Sequence, residues 1–207
     1  MASGTGLACR KNAQPTAEST GAAGHPGDIV HPLGDHWQHV MGGELTRPEA
    51  GILRLQWGES LSAAKWTGED LRLDFDIELE ARRLDGTDFF CGLTFPARPS
   101  GECLTWIVGG WGGSLVGISS IDDRDASANE TTRHLAFEKS RWYGLRLARI
   151  GERIKAFIDN TLVVNLDTTG KKLSLRPGPI DICAPFGLAT WQSTAEFRSL
   201  RRHEICG

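Results

Sequence analysis

The sequence predicts an all-β domain, a two-sheet antiparallel sandwich, and three observations predict it. Apolar and polar residues alternate with period two in one segment after another, which sends successive side chains to opposite faces of a strand. About a dozen such short segments are separated by turn residues. No window longer than a couple of helical turns carries an apolar stripe at helical spacing, so helices are not expected to build the core. With 207 residues and no internal repeat at a fixed period, the chain is read as one domain rather than a propeller or solenoid.

The elements follow in order. The first 28 residues, MASGTGLACRKNAQPTAESTGAAGHPGD, are small and polar, with too little apolar surface to offset the entropy of ordering them. Residues 1–33 are therefore expected to form a disordered arm, and residues 34–206 the domain. Gly51 to Trp57 is the first strand candidate. Leu71 to Arg82 is the clearest: Leu71, Leu73, Phe75, Ile77, Leu79 and Ala81 point one way, and Arg72, Asp74, Asp76, Glu78, Glu80 and Arg82 the other. Asp88 to Phe95 and Cys103 to Val108 are read as a hairpin around ARPSG, with Phe95 facing Cys103 and Cys91 facing Ile107. That register holds the Cys91 and Cys103 Cα atoms beyond the roughly 7 Å a disulfide allows. Ser114 to Ser119 and Arg133 to Phe137 follow. RWYGLRLARI, RIKAFID and LVVNLD, joined by reversals at Ile150-Gly151-Glu152 and Asp159-Asn160-Thr161, form a three-strand meander. Pro179 to Cys183, Phe186 to Trp191 and Ala195 to His203 complete the strands.

Composition excludes several functions. Lys and Arg number 23 against 26 Asp and Glu, a formal charge of -3, so no global positive field draws nucleic acid or an anionic membrane. No run of about 18 apolar residues is present to span a bilayer. The N-terminal residues hold no apolar core of a secretory signal. Five cysteines with no CxxC spacing do not propose zinc, and are read as small apolar residues where buried. GGWGG opens no helix after a strand and is not a nucleotide loop.

Candidate binding residues cluster after Val108. In GGWGG the glycines permit close approach of a ligand, and Trp111 offers an indole face for a sugar ring. The following loop supplies hydroxyl partners in Asp122, Asp125, Asn129, Glu130 and Arg133. Trp191, near a strand end, is read as an aromatic at the rim of a sugar-binding face, with the edge of the core as the alternative. The alternative is a packed Trp111 beside a solvated loop. Asp123, Asp125, Ser127 and Asn129 also present alternate oxygens, as the start of an EF-hand loop does. Ala128 stands where that loop needs Gly and His134 where it needs a bidentate Glu, so no cofactor is expected and calcium is a subordinate alternative.

A second candidate surface is the carboxylate ladder Asp74, Asp76, Glu78 and Glu80. Its order differs from the Glu-x-Asp-x-Glu that would set acid and nucleophile about 5 Å apart in a retaining glycosidase. If the wet face is the concave one, Glu78, Glu80 and Arg82 lie where a sugar would sit, and clustered carboxylates favour a raised pKa suited to proton transfer. The alternative is a solvated outer sheet face. Arg198, Arg201, Arg202 and His203 are likewise either an anion site or a solvated face.

The run YGLRLARIGERIKAFIDNTLVVNLD resembles the concanavalin A-like and laminin-G-like jelly roll. Within that class the chain resembles the 3-keto-disaccharide hydrolase domain family, long described as a domain of unknown function in planctomycete and Bacteroidetes proteins. The segment Trp37 to Leu45, the strand LRLDFDIELEARR, GLTF at Gly92 to Phe95, and GGWGG carry the first half of the likeness. Trp142-Tyr143, AFID, PFGLATW and AEFRSLRRHEI carry the second. The resemblance implies a secreted or periplasmic domain that cleaves the glycosidic bond of a 3-keto sugar, where the C3 carbonyl acidifies the C2 proton. Glu80 or Glu130 would then be the catalytic base, and a glycan or small saccharide the partner. The alternative function is a carbohydrate-binding or adhesion module without chemistry.

Overall fold

The computed structural model describes Met1 and residues 29–31, 35–203 and 205. Most of the expected arm, residues 2–28 and 32–33, lies outside the described residues, as does residue 34. Residues Ile29–His31 of that segment pair antiparallel with the last strand as β1. The strands that follow are β2 (Trp37–Met41), β3 (Leu45–Thr46), β4 (Ile52–Leu55), β5 (Leu61–Trp66), β6 (Phe75–Gly86), β7 (Cys91–Pro96) and β8 (Cys103–Gly110). Next come β9 (Leu115–Ser119), β10 (Arg133–His134), β11 (Tyr143–Ile150), β12 (Arg153–Ile158), β13 (Thr161–Asp167), β14 (Gly187–Trp191) and β15 (Ser193–His203).

The strands form two antiparallel sheets, as the alternation predicts. The first runs β13-β12-β11-β6-β15-β4-β3, with β1 against β15, and the second runs β10-β9-β8-β7-β14-β5-β2. The architecture is a two-sheet antiparallel jelly roll. Between the sheets lies one core, in which Phe75, Phe90, Phe95, Trp106 and Phe197 are at most 1% exposed. Phe75 meets Phe95 edge-on at 5.9 Å, and Phe90, Phe137 and Tyr143 close one end of it. The meander β11-β12-β13 pairs as expected, with Leu145 opposite Ile158 and Leu147 opposite Ala156.

Three expectations are corrected. The strand expected from Leu71 begins at Phe75, because Asp74 turns the chain at φ +62 and accepts hydrogen bonds from the Arg149 side chain and the Gly151 amide. The β7-β8 hairpin is displaced by one residue, so that Cys91 faces Val108 and Pro96 faces Cys103. Beyond Pro96 and Cys103 the Ala97 and Arg98 amides both donate to the Glu102 carbonyl, so the turn closes between Ala97 and Glu102. Cys91 and Cys103 still stand at opposite ends of the hairpin, and both are free and buried.

The third correction bears on function. Pro179–Cys183, expected as a strand, is a 3-10 turn. Pro179 has no N–H to give a ladder, and the turn closes locally through the Ala184 amide on the Asp181 carbonyl. The turn lies on the outer face of the second sheet, where it joins an apolar cluster separate from the main core. Leu61, Ala63, Ile107, Leu115 and Ala189 come from the strands, and Ile180, Ile182, Cys183 and Ala126 from the covering segments. Two glycines make the cover possible: a Cβ on Gly117 would stand 2.7 Å from the Ala126 carbonyl oxygen, and one on Gly187 would stand 2.7 Å from that of Cys183. Burial there pushes the Cys183 thiol up to about 12.

Candidate functional site

Beside the cover the second sheet holds a cavity of about 310 Å³. Its floor is the sheet itself, with Leu61 of β5 and Thr105 and Ile107 of β8. Phe89, Trp111 and Trp191 supply aromatic walls, and the chain Arg176-Pro177-Gly178-Pro179-Ile180 closes one side. Adjacent strands bring these together: β14 lies between β7 and β5 and carries Trp191 to the position opposite Leu61.

Trp111 is presented by a tight reversal. Gly109, Trp111, Gly112 and Gly113 all have positive φ, a conformation that costs glycine little and costs tryptophan of order 1–2 kcal/mol. Asp88 compensates, because its Oδ1 accepts from the Trp111 amide at 3.1 Å and the Phe89 amide at 2.7 Å. Gly113 is crowded as well, since a Cβ there would stand 2.8 Å from the Arg83 guanidinium and 3.1 Å from the Thr87 carbonyl oxygen. The indole is 39% exposed, among the most exposed large apolar groups described. The Arg176 guanidinium sits over it at 5.2 Å, a cation–π contact. Trp191 packs beside Phe89 and donates its amide to the Phe89 carbonyl at 3.0 Å.

Of the residues singled out in the sequence, Trp111 and Trp191 therefore meet in this cavity. The loop carboxylates do not line it. Asp122 accepts from the Lys172 amide, and Asp123 pairs with the Lys172 ammonium at 2.8 Å. Asp125 caps its own turn through the Ser127 amide and touches the cavity only through Arg176, 3.9 Å away. Asn129 holds the loop together, donating to the carbonyls of Ile118 and Asp125 and accepting from the Thr131 amide. Arg133 donates to the carbonyls of Glu130 and Thr132. Glu130 pairs with Lys171 at 2.7 Å, and that hydrogen bond holds its carboxyl below the ordinary value, which weakens it as a base. Among the described residues no three His, Cys, Asp or Glu side chains converge in a way that could hold a metal ion.

Glu78, Glu80 and Arg82 lie on the outer face of the first sheet, on the opposite side of the sandwich from the cavity. Each is engaged there. Arg198 grips Glu80 with two hydrogen bonds of 2.8 and 2.9 Å, and Glu78 faces Arg201 and His203 at 3.6 and 3.5 Å. Arg82 donates to Glu196, a carboxylate that Arg54 binds from the other side. Arg82 and Arg198 both stack over Trp142, at 4.5 and 4.2 Å. The face is a layer of paired charges.

The sequence reading did not find Asp88, Phe89, Ile107, Leu61, Ile180 or Arg176 as site residues. Nothing local ties the RPGP segment at residues 176–179 to GGWGG, more than 60 residues earlier in the chain.

No family model matches the sequence, and no curated protein matches it. Solved structures do match in fold. Crh5 transglycosylase superposes with a TM-score of 0.60 at 10% identity, over 87% of this chain and 85% of that one. The Bacillus licheniformis β-glucanase gives 0.54 at 10% identity, over 87% and 99%. A carbohydrate-binding module from Bacillus subtilis, CBM66, gives 0.50 at 17% identity, over 82% and 96%. These likenesses establish the concanavalin A-like jelly roll.

Proposed function

We propose that this domain is a carbohydrate-binding module that seats a sugar unit in the cavity of the second sheet. The observation that carries the reading is the cavity itself, with Trp111, Trp191 and Phe89 around an opening of about 310 Å³. That volume lies at the lower end of the roughly 300–1,000 Å³ of small-molecule sites. Aromatic faces suit the C–H side of a sugar, and the Arg176 guanidinium offers donors to its oxygens. Among the described residues Asp88 is the one carboxylate lining the cavity, and its Oδ1 is already committed to two backbone amides. A pair of carboxylates for acid–base chemistry is therefore lacking there among the described residues. Structures of this fold named above as binding module, transglycosylase and glucanase support the same ligand class.

The finer reading, hydrolysis of 3-keto sugars, would take its base from Glu80 or Glu130. Arg198 and Lys171 hold those carboxylates, and neither lines the cavity. Binding without chemistry is preferred for that reason. The test combines a glycan-binding screen with incubation on 3-keto-glucosides. Wild-type protein should bind a saccharide and release no sugar. Trp111→Ala should weaken binding about five- to tenfold, the value of one aromatic stack, with an unchanged melting temperature because the indole is half exposed. Sugar release that disappears in the Glu80→Gln, Glu130→Gln double variant would establish hydrolysis instead. A large drop in melting temperature for Trp111→Ala with affinity intact would place the ligand elsewhere.

A further inference from the structure

We infer that the cavity selects a sugar whose inserted edge carries a methyl group, from a 6-deoxy position or an N-acetyl substituent, where a common hexose carries a hydroxyl. This rests on the saccharide reading above. Apart from Thr105 the floor is aliphatic: Leu61 and Ile107, 2% and 5% exposed, meet Ile180 of the covering turn. None of them can bond a hydroxyl.

Three of the polar side chains that line the cavity already hold a protein partner. The Thr105 hydroxyl is paired with that of Thr94 at 2.9 Å, the Ser119 hydroxyl accepts from the Ala126 amide at 2.8 Å, and Asp88 Oδ1 holds two amides. Arg176 donates no hydrogen bond among the described residues, and it lies with Trp111 at the exposed side. Partners for sugar oxygens are thus concentrated at one side and sparse over the floor. A hydroxyl pressed against Leu61 and Ile107 loses its water and gains nothing in return, whereas a methyl there buries apolar surface. The covering segments reinforce the selection. They lie directly on Gly117 and Gly187, so the ligand's inserted edge cannot slide along the sheet to reach other polar groups.

The experiment uses matched sugars in the gluco, galacto and manno configurations: the parent hexose, its 6-deoxy form and its N-acetylamino form. Affinity is read by intrinsic tryptophan fluorescence, and the buried part of the ligand by saturation-transfer NMR. In at least one configuration a methyl-bearing sugar should bind at least tenfold more tightly than its parent, and its methyl protons should receive the strongest saturation. Comparison of the 6-deoxy and N-acetyl arms identifies the source of the methyl. Ile180→Ser, on the half-buried covering turn, should reduce the preference at least threefold without loss of the fold by circular dichroism. Ile107→Thr should do the same from the floor. Parent hexoses binding as well as their methyl-bearing forms, or a preference unchanged in both variants, would overturn this inference and leave the saccharide reading standing. No binding by any sugar in the set would overturn both.

Discussion

Trp106→Ala should destabilise the domain by about 4 kcal/mol and lower its melting temperature by roughly 8–16 °C. Trp106 is fully buried at the centre of β8, pointing into the space between the sheets, and no smaller side chain can fill its volume. Its indole N–H has no hydrogen-bond partner among the described residues, so part of the ring's contribution is already offset by an unsatisfied donor. Trp106→Phe removes that donor and keeps most of the apolar surface, and should cost about 1 kcal/mol. Denaturant unfolding of the two variants checks the pair of values. Equal losses would mean that the indole nitrogen has a partner, and a negligible loss for the alanine variant would contradict the packing.

Glu196→Ala should cost about 3 kcal/mol. Its carboxylate is 1% exposed and takes Arg54 at 2.8 Å on one oxygen and Arg82 at 2.7 Å on the other. Removing one member of a buried pair leaves uncompensated charge, at about 3–5 kcal/mol. The lower end applies because the Arg54 and Arg82 side chains are 33% and 27% exposed and can recover some water. Arg82 also stacks with Arg198 over Trp142, so the loss should loosen that aromatic, visible as a change in near-ultraviolet circular dichroism. Saccharide binding should be unaffected, since this face is on the far side of the sandwich from the cavity. A loss below 1 kcal/mol, or a loss of binding with the fold intact, would show that the charge layer is not structural.

How much of this was legible in the sequence depends on how many faces of a strand are buried. The meander β11-β12-β13 has one wet face, and its alternation located every strand and both reversals. In β5 the residues Leu61, Ser62, Ala63 and Ala64 are buried on both faces, since the covering segments replace solvent, and no alternation remains to be read. The same cover explains Pro179–Cys183. Ile180 and Ile182 alternate as in a strand, but they point down onto the sheet from a turn above it.

The candidate site shows a similar division. Trp111 was identifiable because a large aromatic among glycines has no local packing purpose. Leu61, Phe89, Ile107 and Arg176 become neighbours of it only through the order of strands in the sheet, which is a long-range property. The ladder Asp76, Glu78 and Glu80 was visible as acidic residues, and Arg198 and Arg201 as basic ones. Their cancellation follows from the antiparallel register that sets Arg198 opposite Glu80 and Arg201 opposite Glu78, with a bulge between, and no local pattern encodes that register.

The central claim is that ligand occupies the cavity of the second sheet and not the charged face of the first. Amide and indole ¹H–¹⁵N spectra recorded during titration with the tightest-binding sugar test it directly, because each face carries its own tryptophan. The indole N–H signals of Trp111 and Trp191 and the amides of residues 109–113, Arg176, Gly178 and Ile180 should shift together, while the Trp142 indole stays in place. A titration that moves Trp142 and the amides of β6 and β15, with Trp111 and Trp191 unchanged, would contradict the account.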